Sequence, residues 1–172
     1  MSKKESITTL SKVKKDFDFI GLLKNIALPL GGGIIVGLLT KGTMDTYDKL
    51  KKPMFAPPNI VFPIVWIILY ILIGVAAYRI YEKNKKGFND NGAYFYYLVQ
   101  LLINFLWPFI FFSFRLYGIA LVIIIILLIL AIITAIKFYK SDKIAGILLM
   151  PYIIWISYAT ILNYYIWILN EA

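Results

Sequence analysis

Between Ile119 and Tyr139 the chain reads IALVIIIILLILAIITAIKFY, and Thr134 is the single polar side chain in the middle of that run. A helix needs about 20 apolar residues to cross a hydrocarbon layer ~30 Å thick, and lipid offers no partners to backbone N–H and C=O groups. Such a run therefore folds as a transmembrane helix. Four further apolar runs, separated by polar loops, bring the predicted spans to five. The chain is 61% apolar with a mean hydropathy of +0.80, which no soluble core accounts for. The expected fold class is an all-α membrane protein, a five-transmembrane-helix bundle, and 172 residues leave no room for a second domain of comparable size.

The composition also removes most chemistry. There is no cysteine and no histidine, so disulfides, thiolate metal sites and the commonest general base are excluded, and no metal site is expected. All nine acidic residues lie outside the predicted spans or at their ends, whereas proton- and sodium-coupled carriers normally use an intramembrane carboxylate. Of the 18 lysines and arginines, 13 fall in the amino-terminal segment and the loops after spans two and four, and 5 in the loops after spans one and three. Cytoplasmic loops carry the excess of positive charge, so the amino terminus is predicted cytoplasmic, and the long first loop and carboxy terminus outside. The net charge of +9 is then topological, and no nucleic-acid partner is expected.

Residues 1–24 form a basic polar amino-terminal extension, with Lys3, Lys4, Lys12, Lys14, Lys15 and Lys24. It is not a secretory signal, because some twenty polar residues separate the first lysines from the first apolar run. Leu10, Val13, Phe17, Ile20 and Leu23 have the spacing of an amphipathic helix on an anionic leaflet, and a disordered tail fits equally. The five-helix domain occupies 25–172. Its first span, from about Asn25 to Leu39, carries a GxxxG pair, Gly33 and Gly37, which implies a close helix contact. The loop TKGTMDTYDKLKKPMFAPPN comes next, stiffened by Pro57 and Pro58, and its length makes it a candidate lid over a pocket. GFNDNG reads as an ordinary turn after the second span, and the fourth span reads as a lipid-facing outer helix.

Three spans carry stripes. On a helical wheel of about 100° per residue, Gln100, Asn104, Trp107, Phe111 and Arg115 fall within roughly 80° of one another, while Leu102, Phe105, Phe109 and Phe112 fall on the opposite, lipid-compatible side. Trp66, Tyr70, Ile73, Gly74, Ala77 and Tyr81 share one side of the second span. In the fifth, Tyr152, Trp155, Ala159, Thr160, Asn163 and Trp167 share an arc of roughly 140°. Tryptophans beside small or amide-bearing neighbours suit a concave site for a flat, largely apolar molecule, and they equally suit core packing. Asn104 and Asn163, placed in hydrocarbon, must either tie helices together or meet a ligand.

The ordered motifs KPMFAPP (52–58), VFPIVWIILY with Trp66, LINFLWPFIFFSFR with Asn104 and Trp107, and PYIIWISYATILNYYIW closely resemble the TspO/MBR family. These are the translocator proteins, also called tryptophan-rich sensory proteins and, in animals, peripheral benzodiazepine receptors. The resemblance covers all five spans. It implies a five-helix bundle, commonly a homodimer, that binds protoporphyrin and haem-related tetrapyrroles as ligands, without requiring a cofactor. Carried over, the ligand-binding residues are Tyr47 of the first loop, Trp66, Asn104, Trp107, Trp155, Ala159 and Asn163. Some bacterial members are also similar in having two pocket tryptophans, matching Trp66 and Trp155, that are implicated in light-dependent breakdown of bound protoporphyrin. On that basis these two are the candidate catalytic residues.

Two departures stand out. Where the family often has Trp-Tyr in the first loop, this chain has Thr46-Tyr47; and no Lys or Arg comes after Tyr164 and Tyr165, which breaks the sterol-recognition pattern. The expected function is an integral membrane porphyrin receptor with a sensory or stress-related role, in a bacterial cytoplasmic membrane. A light- and oxygen-dependent porphyrin-degrading enzyme and a passive tetrapyrrole transporter are the alternatives.

Overall fold

Asp18 starts the first helix: its carboxylate accepts the Gly21 N–H at 2.7 Å, satisfying one of the donors that a helix start leaves free. The same carboxylate pairs with Lys85, which ties that helix start to the end of the second span. The computed structural model describes residues 18–43, 45–87 and 91–171. Most of the basic extension, the centre of the GFNDNG turn and the Thr46 side chain lie outside the described residues.

In chain order the helices are α1 (Phe19–Thr40), a 3₁₀ turn at Lys41–Thr43, α2 (Asp45–Lys49), α3 (Val61–Asn84), α4 (Asn91–Pro108, continued by a π-helical turn over Phe109–Ser113), α5 (Tyr117–Ser141), α6 (Lys143–Leu148) and α7 (Met150–Asn170). Five stretches are long and apolar enough to cross a membrane: α1, α3, α4 with its π turn, α5, and α6 with α7. The predicted all-α five-span bundle is the fold. Residues 19–24, which the sequence groups with the basic extension, are the first turns of α1.

Neighbours around the bundle are not always neighbours in the chain. α1 packs on α3, α3 on α6 and α7, these on α5, α5 on α4, and α4 closes back on α1. The α1–α3 contact is backbone to backbone at Gly74, where a Cβ would lie 2.5 Å from the Ile26 Cα, so any side chain there must push the helices apart. The expected GxxxG contact is divided: a Cβ on Gly33 would strike the Tyr70 ring at 2.1 Å, but Gly37 faces open space.

Two expectations about lipid-facing sides are corrected. Phe112 is buried, and Phe105 packs against Tyr70 and Gly32 of α1; of the four residues assigned to lipid, only Leu102, 66% exposed, stands fully outward. The physical reason for Phe112 is the π turn. The Phe114 N–H reaches back five residues to the Phe109 carbonyl (2.9 Å), and one extra residue per turn rotates the subsequent side chains by about 100° on the wheel. Pro108, which lacks an N–H, stands where the α ladder gives way. Arg115 is correspondingly displaced from the stripe: it is exposed, at φ 58°, in the turn that leads to α5. Nor is α5 only an outer helix. Tyr117, Ala120, Ile124, Leu127, Ala131, Thr134 and Phe138 form a buried face between α4 and α7.

Candidate functional site

Phe62, Trp66 and Tyr70 recur every fourth residue on α3, so they stack up one face of the helix. The Trp66 and Tyr70 rings are stacked with centroids 5.3 Å apart. Across from them α4 presents Trp107, stacked on Phe111 at 4.9 Å, and Phe112. Between these aromatics and α1 lies a cavity of about 190 Å³ whose α1 wall includes Gly33, Gly37 and Thr40. Gly33 and Gly37 carry no side chain into this space, which leaves room against the tryptophans. Exposed Ile34, Pro63 and Ile67 also line it, so the cavity reaches the lipid-facing surface.

Two tighter spaces lie deeper in the bundle. One, about 20 Å³, is lined by Trp66, Asn104, Trp107, Trp155 and Ala159; the other, about 10 Å³, by Tyr47, Trp107, Ala159 and Asn163. Phe62 and Trp107 line all three spaces and so divide them. All seven predicted ligand-binding residues therefore line one or more of these adjoining spaces. Only Trp66 and Trp107 reach the open cavity, while Trp155 sits in the inner chamber, edge-on to Phe62 at 6.0 Å. Phe62, Phe112 and the α1 wall are absent from the sequence-derived set. Phe62 was detectable, four residues before Trp66 on the same face.

The amides tie helices together. The Tyr70 hydroxyl donates to Asn104 Oδ1 (2.7 Å), Asn104 Nδ2 donates to the Tyr152 hydroxyl (3.1 Å), and that hydroxyl donates to Gln100 Oε1 (2.6 Å). This chain links α3, α4 and α7 in hydrocarbon, where an unpaired polar group is costly. Nearer the lid end, Trp107 Nε1 donates to Asn163 Oδ1 (3.2 Å) and Asn163 Nδ2 donates to the Tyr117 carbonyl (2.9 Å). Trp155 Nε1 and Gln100 Nε2 are buried without a hydrogen-bond partner among the described residues. Trp155 lines the inner chamber, where an acceptor on a bound molecule can satisfy its N–H.

The first loop closes over this end. Tyr47 of α2 is buried with its ring edge-on to Phe62 at 5.2 Å, and its hydroxyl donates to the Pro57 carbonyl (3.1 Å). Burial pushes the Tyr47 phenol up to about 12, so it stays a neutral donor at physiological pH. Asn170 pairs with the Lys51 backbone, accepting its N–H (3.0 Å) and donating to its carbonyl (2.9 Å). The Tyr158 hydroxyl donates to the Phe55 carbonyl (2.9 Å). The loop is thus held to α7 at several points.

A sequence model described as TspO/MBR family matches residues 25–168, which takes in most of α1 and all the residues of the site. The chain belongs to the TspO/MBR family. Among its relatives, the tryptophan-rich protein TspO of Archaeoglobus fulgidus is 37% identical over 155 residues, covering 89% of this chain and 99% of that one. The tryptophan-rich sensory protein of Cereibacter sphaeroides is 36% identical over 120 residues, 70% of this chain and 73% of that one. The translocator protein of Sus scrofa is 34% identical over 149 residues, 84% and 87% of the two chains. This TspO/MBR protein is therefore an integral membrane protein, with its aromatic site in the part of the chain that the family match covers.

Proposed function

We propose that this protein binds porphyrin-like tetrapyrroles, as a membrane receptor with a sensory or stress-related role. The observation that carries the reading is the cavity between α1 and the aromatic faces of α3 and α4, apolar, lined by Trp66 and Trp107 and open to the lipid side at Ile34 and Ile67. Its volume of about 190 Å³ takes only part of such a ligand, since drug-sized molecules occupy roughly 300–1,000 Å³. A porphyrin enters edge-first, stacks on Trp66 and Trp107, and gains room when the Phe62 ring turns toward the inner chamber. Tyr47, Asn104, Trp155, Ala159 and Asn163 then become contacts of the bound state, with the unpaired Trp155 N–H available to a ligand carboxylate. Titration of the purified protein with protoporphyrin in darkness, monitored by porphyrin fluorescence, tests this. Saturable binding supports it, and the absence of saturation removes it.

A photochemical activity is the second reading, favoured by the indole of Trp66 lining the open cavity and that of Trp155 lining the chamber behind it. Passive movement of tetrapyrroles is a weaker third. The orientation proposed is amino terminus inside and carboxy terminus outside a bacterial cytoplasmic membrane, from the 13-to-5 asymmetry of Lys and Arg. A homodimer, implied by the family resemblance, belongs to the same proposal and is tested by the mass of the detergent-solubilised protein.

A further inference from the structure

At the end of the bundle opposite the lid, the surface between α5 and the α6–α7 pair opens into a groove of about 470 Å³. Its walls are Ile132, Ile136 and Tyr139 on α5 and Ile147, Met150 and Ile153 across from them, and Lys140 stands at its rim. The groove has a structural cause. Gly146 brings α6 onto α5 so closely that a Cβ would lie 2.6 Å from the Tyr139 Cα, and the helix is then interrupted at Leu149 before Pro151. Bulky side chains on either side of this contact stand out as walls: Ile136, Ile147 and Met150 are all exposed.

The charge around the groove is one-sided. Lys140 and Lys143 are exposed and neither makes an ion pair among the described residues. The nearest acid in the chain, Asp142, is engaged: both of its oxygens accept from Arg79 at 2.9 Å, and one also caps the Ala145 N–H. Lys140 lines the groove and Lys143 lies one helical turn before the groove residue Ile147 on α6, so these two uncompensated ammonium groups near an apolar groove call for an anion that carries an apolar tail. Depth points the same way, because Lys140 lies eight residues beyond Ile132, a rise of about 12 Å that is close to the ~15 Å of one leaflet's hydrocarbon.

We propose that this groove holds one acyl chain of an anionic glycerophospholipid, with its phosphate against Lys140 and Lys143. The aliphatic stems of the lysines extend the apolar walls and their ammonium groups reach the headgroup level. The assignment does not depend on what the aromatic cavity binds.

Native mass spectrometry of the detergent-purified full chain, titrated with dioleoylphosphatidylglycerol or dioleoylphosphatidylcholine, tests it. Phosphatidylglycerol should be retained about 30-fold more tightly, the factor equivalent to ~2 kcal/mol for two lysines at an anionic headgroup. The double substitution Lys140→Gln and Lys143→Gln should bring the two lipids level, and Ile136→Trp, which fills the groove from an exposed position, should weaken both. Free glycerol phosphate, which has the headgroup charge but no chain, should not compete. Equal retention of the two lipids by the wild type overturns the proposal, as does a preference that survives the lysine substitutions. If Ile136→Trp changes the oligomeric state and leaves lipid retention untouched, the groove is a contact between copies of this chain and the lipid assignment fails.

Discussion

The indole N–H of Trp107 is bonded to Asn163 at 3.2 Å, so the ring that lines every chamber of the aromatic site is oriented by an amide on another helix. Asn163 in turn holds the start of α5 through the Tyr117 carbonyl. Asn163→Ala leaves the Trp107 N–H unpaired in hydrocarbon and removes the side-chain bond to the Tyr117 carbonyl. The expected loss of stability is about 0.6–1.7 kcal/mol, the range for interhelical hydrogen bonds in membranes. Thermal unfolding in detergent measures it, and a variant as stable as the wild type would show that the amide does not tie α4 to α7.

Phe112 and Trp107 share the open cavity, whereas Leu102 of the same helix faces outward. Trp107→Ala and Phe112→Ala should each weaken porphyrin binding by about 5- to 150-fold, or ~1–3 kcal/mol. Leu102→Ala should leave it within about twofold. Fluorescence titration in darkness compares the three, and equal effects at all three positions would mean that the aromatic faces are packing and not a pocket.

Trp66 and Trp155 are the indoles that the photochemical reading requires. Phenylalanine keeps an aromatic face and removes the readily oxidised ring, so Trp66→Phe and Trp155→Phe should bind porphyrin within about tenfold of the wild type, ~1.4 kcal/mol. Light-driven loss of porphyrin absorbance should fall sharply in both, and more in Trp66→Phe, because Trp66 lines the cavity that reaches the surface. A doubly substituted protein that still binds and bleaches at the wild-type rate rules out the enzymatic reading.

Asp142 joins α3 to the α5–α6 junction through its two bonds from Arg79. Those bonds, aided by the Ala145 N–H, hold its carboxyl below the usual carboxylate range. A carboxyl whose folded pKa is depressed contributes stability above its unfolded pKa of ~3.9 and loses it as pH falls through the lower folded value. Arg79 is partly exposed, which screens the pair, so Asp142→Asn should cost about 1–2 kcal/mol at neutral pH. The gap between the two unfolding curves should close as pH falls from about 4 toward 2. A gap that stays constant over that interval would assign the loss to packing or capping instead of charge.

The 13-to-5 division of basic residues predicts an amino terminus on the cytoplasmic face. Lys3 and Lys4 should resist a membrane-impermeant amine reagent in intact cells and react after lysis. Labelling in intact cells would reverse the orientation.

The sequence by itself determined the features that local periodicity encodes. The five spans come from the length of apolar runs, and Trp66, Asn104, Trp107, Trp155 and Asn163 share inward stripes because a regular helix repeats its faces whatever surrounds it. The tertiary structure alone decided three things that depend on non-local placement. The π turn at Phe109–Ser113 turned Phe112 inward and moved Arg115 off the stripe, and no uniform wheel carries such a change of pitch. The order of helices around the bundle put α1 beside the aromatic faces, so Gly33, packed against Tyr70, and Gly37, which faces open space, became part of one wall of the cavity. And the Phe62 ring, standing between the spaces, kept Trp155 out of the open cavity that Trp66 lines, although their stripes are equivalent on paper. Side-chain direction is fixed one helix at a time, but the volume that those side chains enclose exists only once the neighbours are chosen.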